Sequence, residues 1–242
     1  KYLFTDMLPD TAVAPSNGNE DVTGRRKGSR SEMYGDHAPS VEPSLLSALS
    51  GRAGSVLAKG TILKLEHYQS NDTITVQSPA VSLFGAPNYR RSAASNIYGV
   101  AQPDHAGLLT VNAMLSGEAV WCNTREEPIV YIAGRPFVLR DAAAPLKNVD
   151  AFAGISGTRL EQMEGRLRED VCEEAMANGG LVVVHEERAA GVVVPCLIYC
   201  NERSVKTTRQ LFDELQVGDG CGRYHRIPIS HGQSPFDSFI DE

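Results

Sequence analysis

Three consecutive charged residues, Arg125, Glu126 and Glu127, stand at the entrance of an apolar segment of this 242-residue chain. Charged residues at such a place either organise a loop or face a charged ligand. An apolar strand needs no charged triplet at its start, since side-chain packing stabilises it. The triplet is therefore a candidate for ligand binding. Ion pairs that fasten the segment to its sheet are the alternative.

Five cysteines are candidates for a nucleophile: Cys122, Cys172, Cys196, Cys200 and Cys221. Cleavage of a phosphate ester by cysteine uses the pattern H-C-x5-R, in which backbone N–H groups and the arginine hold the phosphoryl oxygens. Arg226 follows Cys221 one position too early for this pattern, and Arg203 follows Cys196 one position too late. The 242 residues therefore contain no such loop.

Other sites for metals and cofactors are not indicated by the sequence. The cysteines lack the close Cys/His spacing of a zinc site, so we expect no metal. The phosphate-binding pattern G-x-x-x-x-G-K-[ST] does not occur around Lys59, and we expect no nucleotide or other cofactor. His185 beside Glu186 has residue types suited to acid–base chemistry, but a histidine at the end of an apolar strand is more often structural.

Composition limits the classes of partner. A net charge of −7 argues against nucleic acid, which requires a basic surface. No apolar run approaches the roughly 20 residues of a membrane span, so we expect no transmembrane segment. The chain starts at Lys1, and we expect a fragment or a processed form. Cysteines without C-x-x-C pairs suit reduced thiols in a cytoplasmic protein. The oligomeric state does not follow from the sequence.

The candidate residues must be positioned by a sheet. Strand formers from Ile129 to Leu139 with Ala133-Gly134 between them predict a hairpin. Asp104 is a helix cap for a segment that runs to Leu115. The pattern Thr158-x-x-Glu161 predicts the capping box of a helix that extends to about residue 178, where Gly179 and Gly180 end it. Strands at 181–184, 191–199 and 223–229 and a helix at 207–215 complete the pattern.

Alternation of strands and helices predicts an α/β fold with a largely parallel sheet covered by helices. In such sheets ligands bind beyond the carboxyl ends of the strands. Residues 1–50 differ in composition, because Ser, Gly, Asn and Pro dominate residues 9–43, which indicates a flexible linker. Tyr2–Phe4 resembles the end of an earlier helix. The basic cluster 25–30 either binds an acidic partner or is part of the solvated linker, and we favour the linker.

Several segments in order resemble one known family. Residues 125–140 resemble the REEPVVYINGRPYVLR motif of the paladin-like, PTP-like phytase family. The resemblance continues in five ordered blocks over residues 52–241: 54–64, 85–90, 97–103, 154–161 and 224–229. The family resemblance implies a cysteine-dependent phosphatase fold, often in tandem repeats. It further implies that residues 51–242 are a partial domain that ends before its H-C-x5-R loop, and that residues 1–50 are a linker or the end of a preceding repeat.

The resemblance also implies functional residues. His231 stands where the family pattern R-I-P-x-x-D has its general acid, and histidine donates protons near neutral pH. Asp237 and Asp241 are alternatives in the following segment. Arg125 aligns with the arginine of the L-R-Q-E-S-H motif of the phytases, which implies that Arg125 and Glu127 face the substrate. Ile129 replaces the histidine of that motif, so ion pairing remains the alternative role of Arg125 and Glu127.

Two functions follow from the resemblance. The first is part of a phosphatase that acts on phosphate monoesters, namely inositol polyphosphates, phosphoinositides or phosphoproteins. The second is a non-catalytic repeat that binds a phosphorylated ligand or scaffolds a partner. In both cases we expect the chain by itself to be inactive, because its nucleophile is absent.

Overall fold

The computed structural model describes residues 2–5, 47–48, 51–66, 83–115, 119–189, 191–216 and 223–230. The α/β class is confirmed: two sheets and three α-helices of nine or more residues are found within these ranges, with a 3-10 helix at Asp150–Phe152. His231, Cys221, Asp237, Asp241 and the basic cluster 25–30 lie outside the described residues. No helix in the described ranges is long and apolar enough to cross a membrane.

The first sheet is mainly parallel, as predicted, whereas the strands predicted at 181–184 and 191–199 lie in the second sheet and pair antiparallel. Its strands, in spatial order, are β11 (Tyr224–Arg226), β5 (Val120–Asn123), β1 (Tyr2–Thr5), β4 (Ile97–Val100) and β3 (Arg90–Arg91). The first four strands run parallel to one another. The last strand, β3, is antiparallel to β4. The carboxyl ends of four strands therefore meet at one edge.

Strand β1 corrects the prediction of a helix end at Tyr2–Phe4. These residues pair on both sides, with Thr5 level with Asn123 of β5 and Val100 of β4. Aromatic and β-branched residues favour extended backbone, and two neighbouring strands satisfy its hydrogen-bonding groups. The domain boundary near residue 51 stays a prediction.

The second sheet is built around the predicted hairpin, which is confirmed. Its order is β10 (Val205–Thr207), β6 (Ile129–Ile132), β7 (Arg135–Asp141), β2 (Thr61–Leu65), β8 (Leu181–Ala189) and β9 (Val192–Tyr199). All pairs are antiparallel except β2 with β8. Ala133 and Gly134 have φ of 50° and 78°, and two positive φ values are characteristic of a type I′ hairpin turn.

Helix α1 (His105–Met114) is capped as predicted, because the Asp104 carboxylate accepts a hydrogen bond from the Gly107 N–H at 2.7 Å. Its buried residues Leu108 and Val111 pack into a core between the first sheet and the hairpin. Helix α3 (Thr208–Gln216) closes this core, with Phe212 between the rings of Trp121 and Tyr224.

Helix α2 (Gly157–Ala177) covers the other face of the second sheet, where Leu167, Val171 and Ala175 are buried. Its predicted capping box was wrong. The cap is Ser156, whose hydroxyl accepts from the Arg159 N–H, so Thr158 already lies inside the first turn. Glu161 instead pairs with Arg209 of α3 at 2.9 Å. Gly179 and Gly180 follow the helix with positive φ, as predicted.

The start of α2 touches strand β11. A Cβ atom added at Gly157 would lie 2.2 Å from the carbonyl oxygen of Arg226, whereas one added at Gly165 on the same helix would meet nothing within 4 Å. The absence of a side chain at Gly157 therefore sets how closely the helix approaches the first sheet.

We expect Gly157→Ala to lower the free energy of unfolding by about 1–3 kcal/mol, since the backbone must shift to admit the methyl group. Gly165→Ala is the matched control and should raise it by about 0.5–1 kcal/mol, because alanine favours helix. Urea unfolding followed by circular dichroism measures both values. Equal stabilisation by the two substitutions would contradict the close contact.

Candidate functional site

Strands β5 and β11 end side by side, and the chain continues from both in parallel. The Ile227 N–H donates to the Asn123 carbonyl and the Ile229 N–H donates to the Thr124 carbonyl, each at 2.9 Å. The β5–β6 loop (residues 124–128) thus lies against the segment that follows β11. This is the carboxyl edge of a parallel sheet, where α/β proteins bind their ligands.

Asn123 is a residue at this edge that sequence reasoning missed. Its side chain is 2% exposed, and its Oδ1 accepts a hydrogen bond from the Arg125 N–H at 3.1 Å. Its Nδ2 is buried and has no acceptor among the described residues. A buried amide donor normally finds a partner. The signal in the sequence was an asparagine placed between an apolar strand and a charged triplet.

Arg125 and Glu127 are both buried, and the structure brings them together. The Arg125 guanidinium donates from Nη2 to Glu66 at 2.9 Å, and its Nε lies 3.1 Å from a Glu127 carboxylate oxygen. Glu127 also receives a hydrogen bond from Arg140 of β7. Two arginines and two glutamates therefore form one chain of ion pairs that joins the β5–β6 loop to the second sheet. The predicted contact of Arg125 and Glu127 with substrate stays a prediction.

This network fixes the charge of Glu127. Burial raises the pKa of a carboxyl group, but the Arg125 and Arg140 cations outweigh burial and hold the pKa of Glu127 below its usual range. Glu127 is thus a carboxylate that accepts hydrogen bonds at neutral pH. It has no proton to donate to a leaving group at that pH.

Glu126 joins three segments at the same edge. One of its carboxylate oxygens accepts from the Gly154 N–H at 2.7 Å and from the Ser230 hydroxyl at 2.5 Å. Gly154 lies just before α2 and has a φ of 74°. Ser230 is the residue before His231 in the sequence. Glu126 therefore links the β5–β6 loop to the segment that leads to the predicted general acid.

Beneath the loop lies a fully buried ion pair between Arg226 of β11 and Glu164 of α2, which are 1% and 0% exposed. Arg226 Nη2 is 3.0 Å from the Glu164 carboxylate and donates to the Glu127 carbonyl at 3.0 Å. The Ile129 N–H donates to the same carboxylate oxygen of Glu164 at 3.1 Å. Burial raises the pKa of Glu164, and the charge of Arg226 opposes this. The pair thus fixes the backbone at the end of the loop.

The described residues contain no group of three or more His, Cys, Asp or Glu side chains arranged to hold a metal ion. Cys122 directly precedes Asn123 in β5. Burial raises the pKa of the Cys122 thiol, which disfavours the reactive thiolate. His185 is buried within the second sheet, where β8 pairs with Lys64 of β2, and burial with the nearby Arg52 lowers its pKa to about 4. The structural interpretation of His185 is favoured by this position.

Comparison with known families assigns this architecture. The model of the PTP-like phytase family, which has the description "inositol hexakisphosphate", matches residues 122–242. This is half of the chain. The chain belongs to the PTP-like phytase family. The match includes the β5–β6 loop, Glu164 and the segment after β11, which form the part of the edge where β5 and β11 end. The resemblance inferred from the sequence is confirmed.

The chain is also similar to individual proteins. Human paladin is 24% identical over 168 residues, which are 65% of this chain and 19% of paladin. The chain thus spans about a fifth of the length of that relative. Two solved structures from Mitsuokella multacida are each 13% identical to this chain. Each match covers 75% of this chain and 30% of the other chain.

The first is the PTP-like myo-inositol phosphatase in complex with myo-inositol-(1,3,4,5)-tetrakisphosphate, with a TM-score of 0.51. The second is the tandemly repeated protein tyrosine phosphatase like phytase, with a TM-score of 0.50. At 13% identity, these two structures show a similarity of fold alone.

Because of Glu127, the free energy of unfolding should vary with pH in the acid range. The pKa of Glu127 is lower in the folded chain than in the unfolded chain, where it is about 4.3. The stabilisation that the ionised carboxylate gives to the fold is therefore complete above the unfolded pKa and is lost as the pH falls through the folded pKa. Unfolding free energies of the native chain and Glu127→Gln should therefore differ by a constant amount above pH 5, and the difference should shrink below it. Glu173→Gln, at an exposed position of α2, is the control and should show little difference throughout. A gap that widens in acid would contradict the ion-pair network.

Arg226 and Glu164 should be strongly coupled. Arg226→Met alone leaves Glu164 buried without its cation and should cost about 3–5 kcal/mol of unfolding free energy. Glu164→Leu alone should cost a comparable amount for the same reason. The double variant should lose much less than the sum, because two apolar side chains pack without an unpaired charge. A double-mutant cycle by urea unfolding measures the coupling, and additive losses would show that the pair is not a unit.

Proposed function

We propose that this chain is part of a phosphatase that acts on phosphate monoesters, with inositol polyphosphates, phosphoinositides and phosphoproteins as candidate substrates. The observation that carries the proposal is the joint ending of β5 and β11 at the carboxyl edge of a PTP-like phytase sheet. The structural relative from Mitsuokella multacida, which was solved with an inositol tetrakisphosphate, supports a ligand of this class.

The proposed reaction is transfer of the phosphoryl group to a cysteine thiolate. Sulfur attacks phosphorus, the bond from phosphorus to the ester oxygen breaks, and a general acid protonates the departing alkoxide. Water then hydrolyses the phosphocysteine to phosphate and regenerates the thiol. Because the 242 residues contain no C-x5-R pattern, we assign the nucleophile to sequence outside this chain.

Residues of this chain would supply the remaining parts. His231 is proposed as the proton donor, and Glu126 would hold its segment through Ser230. Arg125 and Glu127 are proposed to border the substrate pocket, where their ion pairs fix the conformation of the β5–β6 loop. A cytoplasmic location and a tandem-repeat parent belong to the same proposal. The location is supported by the free thiols at Cys122, Cys172, Cys196 and Cys200.

The second candidate function is a non-catalytic module that binds a phosphorylated ligand or a partner. One observation favours it. Both buried arginines at the edge are already neutralised: Arg125 by Glu66 and Glu127, and Arg226 by Glu164. In this role the Asn123 amide and backbone N–H groups would hold the ligand without attacking it.

Phosphate release from myo-inositol hexakisphosphate and from p-nitrophenyl phosphate separates these functions. We expect the natural full-length protein to release phosphate and the 242-residue chain to release none. Binding of myo-inositol hexakisphosphate by the full-length protein without release would favour the second candidate. Phosphate release by this chain after all five of its cysteines are replaced by serine would contradict the cysteine mechanism.

A further inference from the structure

A groove of about 450 Å³ lies between the second half of α2 and the chain that leaves β9. Its floor is apolar, with Ala175 and Cys200 almost fully buried and Cys172 partly buried. Burial raises the pKa of both thiols, that of Cys200 to about 11, so the floor is uncharged at neutral pH. At its rim, Met176 and Tyr199 are 76% and 67% exposed.

The walls of the groove are held in place by the backbone. A Cβ atom added at Gly180 would lie 2.4 Å from the Tyr199 ring, so the ring rests on the glycine backbone. On the opposite side, Arg168 of α2 donates to the carbonyls of Val205 and Glu202 at 2.8 and 2.9 Å. The groove is therefore formed before any ligand enters, which lowers the entropic cost of binding.

Two more exposed apolar side chains lie near Tyr199, on the face of β8 and β9 opposite the one that packs against α2. Leu181 of β8 pairs across the strands with Tyr199 and is 38% exposed. Leu197, two residues before Tyr199 on the same face of β9, is 46% exposed. Large exposed apolar residues that cluster in this way mark binding surfaces.

The charge of the groove is negative. The carboxylates of Glu169, Glu173 and Glu202 line it, and Arg168 is the one cation among its lining residues in the described part of the chain. Arg168 is engaged with two carbonyls and lies 4.0 Å from Glu202. An anionic phosphate ester would be repelled here, whereas a cation beside an apolar group would be attracted.

The groove is separate from the carboxyl edge of the first sheet. Gly157 at the start of α2 touches Arg226 at that edge, and Cys172 is fifteen residues further along the helix. At 1.5 Å per residue this spacing is about 22 Å. Binding at the groove would leave the carboxyl edge open.

We propose that this groove binds a short segment of a partner protein that presents an apolar side chain next to lysine or arginine. The apolar side chain would enter between Met176 and Tyr199 above the thiols. The basic residues would pair with Glu169 and Glu173 at the rim. This interaction surface is independent of the proposed phosphatase function and holds for either candidate function.

Fluorescence anisotropy with a labelled decapeptide of Leu, Trp and Lys tests the proposal. We expect this peptide to bind, and two counterparts to bind far less: one with Glu in place of Lys, and one with Ser in place of Leu and Trp. Tyr199→Ala should weaken binding by roughly tenfold, as is typical of an aromatic contact at the centre of an interface. Leu109→Ala, at a comparably exposed leucine of α1, is the control and should leave affinity unchanged.

Charge variants separate specific pairing from general attraction to an acidic protein. Glu169→Lys with Glu173→Lys should abolish binding. Asp150→Lys with Asp213→Lys makes the same change in net charge at exposed positions elsewhere and should reduce affinity less than about threefold, since distant exposed charges are screened. Equal losses in the two double variants would overturn the proposal.

Alkylation locates the bound peptide. Cys172 lines the groove, whereas Cys196 of β9 is partly buried outside it and serves as an internal reference. Saturating peptide should slow the reaction of Cys172 with iodoacetamide and leave that of Cys196 unchanged, as followed by mass spectrometry of tryptic peptides. Equal protection of both cysteines, or of neither, would overturn the proposal.

Discussion

The ion pair between Arg226 and Glu164 is the interaction on which the candidate site depends. Both side chains are removed from water, so either charge alone would be costly in the core. The pair also satisfies two backbone groups of the hairpin entrance, the Glu127 carbonyl and the Ile129 N–H. Strand β11, helix α2 and the β5–β6 loop therefore hold one another in place, and a change in any of the three would reach the edge where ligands bind.

A second set of charges lies above this pair and has a different consequence. Arg125, Glu127, Arg140 and Glu66 balance one another, so the loop is rigidly connected to the second sheet. Cations engaged in this way are poor ligands for phosphate unless a dianion competes with their carboxylates. In the proposed function the loop therefore shapes the pocket, and most of the attraction for phosphate comes from groups with free donors, such as Asn123 Nδ2.

Local patterns predicted the elements whose cause is local. The hairpin turn at Ala133-Gly134 and the Asp104 cap follow from the preferences of a few adjacent residues, and both were confirmed. Strand β1 could not be recognised, because a four-residue strand is defined by partners that lie more than ninety residues away in the sequence. The cap of α2 was placed two residues late because Ser156 and Thr158 both suit that position.

The candidate site was predictable only in part. The triplet at Arg125 and the α/β class were found, since charge and the alternation of strands and helices are visible in the sequence. The role of Glu164 was missed, although a glutamate on the apolar face between Leu160 and Leu167 was a signal of a buried partner. Which cation it meets depends on packing between β11 and α2, which no local pattern specifies.

We propose that a phosphate ester binds at the carboxyl edge of the first sheet. Amide chemical shifts of the 242-residue chain, titrated with myo-inositol hexakisphosphate, test it most directly. We expect the largest changes at residues 123–127 and 227–230, and none when unphosphorylated myo-inositol is added. Changes confined to the groove at Met176 and Tyr199, or no change at millimolar ligand, would contradict it.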